Sequence, residues 1–160
     1  MKRTLLISAL LATVLSGCAS TEDQATQAQV NSDPRMLDCN LATVEDRGPI
    51  RPSLYVVGTF AQSQWIHTED RKMSHKGNGL YQLVREEKAG TINMQFATMS
   101  WNPQFTVSGK ELATGQEKEL KRGGFAKDTR VSIAEDGKYV WSIQLSEDKK
   151  PVSVVLAQCK

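Results

Sequence analysis

The feature that most constrains this chain is a period-two alternation of apolar residues. The clearest examples are residues 92–97 and 139–145, where apolar side chains occupy every second position. Successive side chains of a β-strand point to opposite faces, so this pattern predicts strands with one buried face. Weaker runs predict further strands at residues 54–60, 80–85, 130–133 and 152–157.

Glycine-containing turn signals separate these runs and limit the strands to short lengths. They occur at Gly77-Asn78-Gly79, Ala89-Gly90, Gly123-Gly124 and Asp136-Gly137. About seven short strands in a segment of this length favour an all-β fold, an antiparallel β-sandwich. We expect no helix of more than two turns in this part of the chain.

The amino terminus has the layout of an export signal, with Lys2 and Arg3 followed by an apolar run at residues 5–15. The run is too short to span a bilayer as a stable helix. It ends in Leu15-Ser16-Gly17-Cys18, which resembles the lipobox of bacterial lipoproteins. The resemblance implies cleavage before Cys18 and a lipid anchor on its thiol, and Ala19 as the next residue implies the outer membrane. The alternative is an ordinary signal peptide that contains a cysteine.

The predicted organisation has three parts: a signal peptide at residues 1–17, a tether at residues 18–36 and a folded domain at residues 37–160. Residues 19–35 are almost entirely polar, so burial cannot offset their ordering entropy, and we expect a flexible tether. Removal of Lys2 and Arg3 leaves 18 basic against 18 acidic residues. A neutral mature chain gives no reason to expect nucleic acid as a partner.

Cys39 and Cys159 are the two cysteines that remain beside Cys18, and they lie at the two ends of the predicted domain. Export to an oxidising compartment favours a disulfide between them. The alternative is a pair of buried free thiols.

No combination of residues typical of a catalytic or metal site is visible, so we expect no enzymatic activity and no cofactor. His67 and His75 lie in a polar stretch without the spacing of a metal site, and we interpret them as solvated loop residues. Glu86 and Glu87 are adjacent on a predicted strand, so their carboxylates point to opposite faces and cannot act as a pair.

The tryptophans fall into two classes. Trp65 and Trp101 stand beside polar residues outside the alternating runs, whereas Trp141 lies within a predicted strand and is expected in the core. Sugars present apolar C–H faces that stack on indole rings, so exposed loop tryptophans are candidate ligand-binding residues. Tryptophan also caps the ends of β-sandwiches, and this alternative stays open.

Several segments, in their order and spacing, resemble the α-glucan-binding β-sandwich found at the front of pullulanases and glycogen-branching enzymes and in the β subunit of AMP-activated kinase. They are Leu54-Tyr55-Val56-Val57-Gly58-Thr59-Phe60, Trp65, Lys72-Met73, Gly77-Asn78-Gly79-Leu80-Tyr81, Ala89-Gly90-Thr91, Met94-Gln95-Phe96-Ala97 and Trp101. The resemblance implies an immunoglobulin-like sandwich in which two tryptophans stack on glucose rings.

In that family the stacking tryptophans match Trp65 and Trp101, and the lysine that bonds sugar hydroxyls falls at Gln95. The nearest polar candidates for the late asparagine of the family site are Asp128 and Thr129. The resemblance therefore implies a non-catalytic, membrane-anchored domain that binds α-1,4-glucan or maltodextrin, with Gln95 and Asn102 as polar partners of the two rings. The alternative is an envelope lipoprotein that uses the sandwich for protein contacts, including as an accessory subunit of a glucan-degrading enzyme.

Overall fold

The computed structural model describes residues 33–160. The predicted signal peptide, Cys18 and the tether up to residue 32 lie outside the described residues. Between residues 33 and 160, no helix is long and apolar enough to cross a membrane.

The regular secondary structure of the described chain consists almost entirely of β-strands. They are β1 (Leu54–Gly58), β2 (Ser74–His75), β3 (Leu80–Glu87), β4 (Gly90–Thr98), β5 (Gln104–Val107), β6 (Glu111–Ala113), β7 (Glu117–Arg122), β8 (Thr129–Ile133), β9 (Gly137–Leu145) and β10 (Pro151–Gln158). The remaining regular elements are short 3₁₀ turns at Pro34–Leu37, Glu69–Arg71 and Ser108–Lys110.

The strands form two packed layers joined through β7. The back sheet has the order β2-β3-β9-β10, and the front sheet contains β5, β4, β8 and β6, with β1 paired to β4. β7 connects the layers because its first half pairs with β10 and its second half pairs with β5. All pairs are antiparallel except β6 with β8. The predicted β-sandwich is therefore confirmed.

The alternating pattern explains how the central core forms between the two sheets. Phe96 of β4 and Phe105 of β5 point inward from the front sheet, and Tyr139 and Trp141 of β9 point inward from the back sheet; all four are fully buried. The prediction that Trp141 belongs to the core is confirmed. Burial of these aromatic side chains removes a large apolar area from water and is the main stabilising term of the domain.

A second apolar layer covers the outer face of the back sheet, where the N-terminal segment packs. Met36, in the turn Pro34–Leu37, is 1% exposed and contacts a cluster that includes Val140 and Val155. Ser142 Oγ donates to the Met36 carbonyl at 2.6 Å. The folded part of the chain thus includes residues 34–36, ahead of the predicted boundary at residue 37.

The disulfide fastens this N-terminal segment to the last strand. Cys39 and Cys159 are bonded, with an S–S distance of 2.00 Å and a Cα–Cα distance of 5.9 Å. The predicted pairing is confirmed, and the alternative of two free thiols is excluded. We call residues 33–41, together with this disulfide, the N-terminal strap.

Candidate functional site

The outer face of the front sheet carries an apolar floor. Tyr55 of β1 lies opposite Ala97 of β4, and Val57 lies opposite Gln95. These side chains point outward because the alternate residues of both strands enter the central core. Tyr55, Val57 and Ala97 form a small buried cluster on this face.

Trp65 and Trp101 both pack on this floor, although they come from separate loops. Each is half-buried and contacts the cluster of Tyr55, Val57 and Ala97. Their indole centroids are 6.3 Å apart, and the ring planes are inclined by 43°. We call this pair of rings the tryptophan platform. The sequence prediction that both residues lie outside the strands is confirmed.

The backbone holds both tryptophans in an uncommon conformation. Trp65 has φ of 55° and Trp101 has φ of 61°, both in the left-handed region. This region costs a bulky residue on the order of 1–3 kcal/mol, and such conformations cluster at functional sites. The Trp65 amide donates to the Gly58 carbonyl, and the Trp101 amide donates to the Thr98 carbonyl, both at 2.9 Å. Each conformation is therefore fixed by a bond to the end of a floor strand.

His67 lies in the same loop as Trp65, and its ring reaches the loop that carries Trp101. Its ring contacts Trp101 with a centroid distance of 5.0 Å and Tyr55 with one of 5.3 Å, both edge to face. Burial lowers the pKa of His67, and a hydrogen bond to the Thr98 backbone partly opposes this shift. The interpretation of His67 as a solvated loop residue is wrong, because packing of its loop on the sheet withdraws the ring from solvent.

His75 is also buried rather than solvated, at a distance from the platform. It is 7% exposed and its Nδ1 lies 2.6 Å from the Asp46 carbonyl. The Gly79 amide donates to its Nε2 at 3.1 Å, so both ring nitrogens are engaged by the backbone. His75 therefore fixes the loop that precedes β1 and has no part in the platform.

Gln95 lies beside the floor but turns its amide away from solvent. The side chain is 3% exposed, and Nε2 donates to the Gly124 carbonyl at 3.0 Å and to Asp128 Oδ1 at 2.9 Å. A Cβ at Gly123 would lie only 2.5 Å from Gln95 Oε1, so the loop can approach this closely only with glycine there. Gln95 thus holds the β7–β8 loop (residues 123–128) against the floor.

The other predicted polar residues differ in whether they reach the surface around the tryptophan platform. Asn102 is exposed directly after Trp101, and Asp128 is half-buried against Gln95. Thr129 is fully buried, and its hydroxyl bonds to Thr106 Oγ1 at 2.8 Å, so it does not reach the surface of the platform.

Three exposed apolar residues belong to the same loops and were missed by the sequence analysis. Phe125, at the tip of the β7–β8 loop, is 97% exposed, while Ile66 is 61% and Met99 is 60% exposed. Most apolar side chains of this size are buried, and exposed apolar groups around a partly polar surface mark interaction sites. An aromatic residue within Gly123-Gly124-Phe125-Ala126, with no alternating apolar neighbour, was the signal available in the sequence.

A separate cavity lies away from the two tryptophans. It has a volume of about 670 Å³ at one end of the sandwich and is lined by Phe60, Arg71 and Glu87, but not by Trp65 or Trp101. Arg71 donates to both oxygens of Glu87 at 2.6 and 3.0 Å, and Trp141 Nε1 donates to the same carboxylate at 2.8 Å. Burial lowers the pKa of Arg71, and the ion pair with Glu87 opposes this shift. The Glu87 carboxylate thus accepts hydrogen bonds from both Arg71 and Trp141 within the folded domain.

Among residues 33–160 there is no group of three or more histidine, cysteine or acidic side chains that could hold a metal ion. The tryptophan platform offers stacking surfaces from its two indole rings, and the exposed Asn102 offers hydrogen-bonding groups beside them. Such a surface can bind a ligand with alternating apolar faces and hydroxyl edges.

Comparison with known proteins identifies a related domain. No family model matches the sequence, and no curated protein matches it either. A solved structure described as the ligand-induced structure of AmyP-SBD, a starch-binding domain, shares 35% sequence identity with this chain. The match covers 96% of this chain and 97% of that chain, with a TM-score of 0.62. The chain therefore belongs to the family of carbohydrate-binding β-sandwich modules that includes this starch-binding domain.

Proposed function

We propose that this domain is a non-catalytic module that binds α-1,4-linked glucan or maltodextrin on the tryptophan platform. The observation that carries the proposal is the arrangement of Trp65 and Trp101, whose rings lie 6.3 Å apart at 43°. Each indole can stack on the apolar face of one glucose unit. Because an α-1,4 chain curves, its neighbouring units are inclined to each other, and two inclined rings suit it better than the flat ribbon of a β-1,4 chain.

The relationship to a starch-binding domain supports the same ligand class. The match covers nearly the whole of both chains at 35% identity, so the region compared spans the loops that carry the platform as well as the strands. Function transfers less safely than fold, and the local geometry of the platform is therefore the stronger argument.

The polar groups around the platform have distinct proposed roles. Asn102, exposed beside Trp101, is placed to donate and accept hydrogen bonds with sugar hydroxyls. Gln95 acts on the ligand indirectly because both its donors are engaged by Gly124 and Asp128. It holds the β7–β8 loop, from which Phe125 extends a further apolar surface.

An open platform of two rings implies modest affinity. The gain from stacking must exceed the loss of translational and rotational freedom and the ordering of a flexible oligosaccharide. We expect dissociation constants in the range of about 1 μM to 1 mM. Avidity from several domains on one polymer would compensate for weak individual contacts.

We also propose that the domain is anchored in the cell envelope through a lipid on Cys18, at the outer membrane. The support is the sequence Leu15-Ser16-Gly17-Cys18 after a short apolar run. The described residues begin in the N-terminal strap, which packs on the back sheet, whereas the tryptophan platform lies on the outer face of the front sheet. Cys18→Ala should leave an unlipidated precursor and remove the mature protein from the membrane fraction, and unchanged membrane fractionation of the mature protein would reject the anchor.

Calorimetric titration of the unlipidated mature chain with maltoheptaose tests the ligand proposal. We expect saturable binding of maltoheptaose and much weaker binding of a β-1,4-linked glucan oligomer of equal length. Absence of maltoheptaose binding at millimolar concentration, in a sample whose β-sheet circular dichroism and cooperative unfolding are intact, would reject the proposal. That result would favour the alternative of a protein partner on the same platform.

A further inference from the structure

His67 joins the two loops that form the tryptophan platform. It follows Trp65 in the segment between β1 and the turn Glu69–Arg71, and its ring contacts the ring of Trp101 from the other loop. The same imidazole contacts Tyr55, whose ring belongs to the floor. A shift of His67 would therefore change the position of Trp101 relative to Trp65.

The environment of His67 favours its uncharged ring, because burial disfavours the charge more than the Thr98 backbone supports it. The Nε2 atom is buried, and no described residue gives it a hydrogen bond of ordinary geometry. In neutral imidazole this nitrogen carries a lone pair, whereas a second proton would make it a charged donor. A buried donor without an acceptor is costly, and the cost increases when the group is charged.

Charged groups near the ring do not supply the missing acceptor. On the strand side, Tyr55 uses its hydroxyl to donate to Glu69 Oε1 at 3.4 Å, and Glu69 also pairs with Lys72. Asp70, in the turn after His67, pairs with Arg85. On the other side, residues 98–104 of the Trp101 loop include no titratable side chain.

We propose that His67 is a positioning residue whose neutral imidazole sets the angle of the tryptophan platform, so that protonation of this ring weakens glucan binding. The inference rests on the proposed function, since it assigns a role in the same binding site. It predicts an affinity that is constant at neutral and alkaline pH and decreases as the pH falls through the pKa of His67, which burial places below its ordinary value. A group that must be neutral to support binding loses its contribution on acidification.

The test is the pH dependence of maltoheptaose affinity in the native protein and in His67→Phe, from about pH 8 to about pH 4.5, a range that spans histidine titration. For the native protein we expect at least about a fivefold loss of affinity at the acid end, the lower limit of typical coupling between two sites. His67→Phe retains a ring at this position but has no titrating group. Its affinity at neutral pH should be lower than native, because phenylalanine lacks the ring nitrogens that interact with the Thr98 backbone, but it should not vary with pH.

Nuclear magnetic resonance gives a second readout that a purely structural role would not change. Binding and protonation are linked reciprocally, so saturating maltoheptaose should raise the acid dissociation constant of His67 by the same factor by which full protonation weakens binding, and the pKa should fall by the logarithm of that factor. His75 supplies an internal reference, and its signals are the ones that persist in His67→Phe. If His67→Phe is unfolded, His67→Gln replaces it as the non-titrating variant.

The possible outcomes are distinct. A native protein that binds maltoheptaose equally well across this range overturns the role of His67 and leaves the proposed function intact. Parallel pH profiles for the native protein and the variant also overturn it, because another group would then titrate. No binding at any pH contradicts the proposed function itself.

Discussion

The outer faces of the back and front sheets both carry apolar side chains, yet the chain covers them differently. On the back sheet the N-terminal strap inserts Met36, and the disulfide between Cys39 and Cys159 holds the strap in place. On the front sheet the apolar floor is overlaid by two half-buried tryptophans from loops, with exposed residues beside them. A covered face contributes stability, whereas a partly open one keeps surface available for a ligand.

Removal of the disulfide should produce the largest effect and should act on the back face. The bond joins residues separated by 120 positions. In the chain-entropy model its loss destabilises the domain by up to about 4 to 5 kcal/mol, and denatured-state structure reduces this figure. Chemical denaturation of Cys39→Ser with Cys159→Ser should show this loss. Equal stability with and without the bond would contradict a fastening role for the strap.

Truncation of Met36 should cost about 2 to 3 kcal/mol of unfolding free energy, because the side chain is buried and its removal leaves a cavity. The strap stays bonded in this variant, so the comparison isolates the packing of one side chain. Denaturation of Met36→Ala measures the loss, and Leu37→Ala is the matched control because Leu37 is 55% exposed in the same turn. Equal losses of unfolding free energy in the two variants would mean that the strap does not cover the back sheet as described. Neither variant should alter ligand affinity.

Gln95→Leu tests whether Gln95 holds the β7–β8 loop against the front sheet. It removes the two bonds from Nε2 to the β7–β8 loop while retaining a side chain of similar size. We expect a stability loss of about 1 to 2 kcal/mol, typical of buried hydrogen bonds that lose one partner. Amide hydrogen exchange in residues 123–128 should become faster. Lys127→Ala, which changes an exposed side chain of the same loop, is the control and should leave exchange unchanged.

The alternating apolar pattern correctly predicted the strands that bury one face in the central core. The alternating runs correspond to β1, β3, β4, β8, β9 and β10, because each has an apolar face directed into the central core. In contrast β2, β5, β6 and β7 were not predicted. β7 reads Glu117–Arg122 with only Leu120 buried, so its strand conformation depends on pairing with β10 and β5 rather than on local alternation.

The candidate site was only partly predictable, because its geometry depends on contacts between segments that are distant in the sequence. Trp65 and Trp101 could be selected as loop residues, but their contact depends on the pairing of β1 with β4, which brings two distant loops together. The orientation of Gln95 depends on the approach of the β7–β8 loop, and no local pattern indicates that approach. His67 was misassigned because polar neighbours in sequence do not reveal the aromatic rings that surround it in space.

The most direct test of the account measures folding stability and maltoheptaose affinity together in Trp65→Ala and Trp101→Ala. We predict that each substitution lowers affinity at least about tenfold, equivalent to roughly 1.4 kcal/mol, since each removes one stacking surface. Unfolding free energy should fall by at most about 1 to 2 kcal/mol, because both rings are only half-buried. Unchanged affinity combined with a stability loss of about 3 to 5 kcal/mol would show that these residues cap the sandwich, and would contradict the tryptophan platform as a binding site.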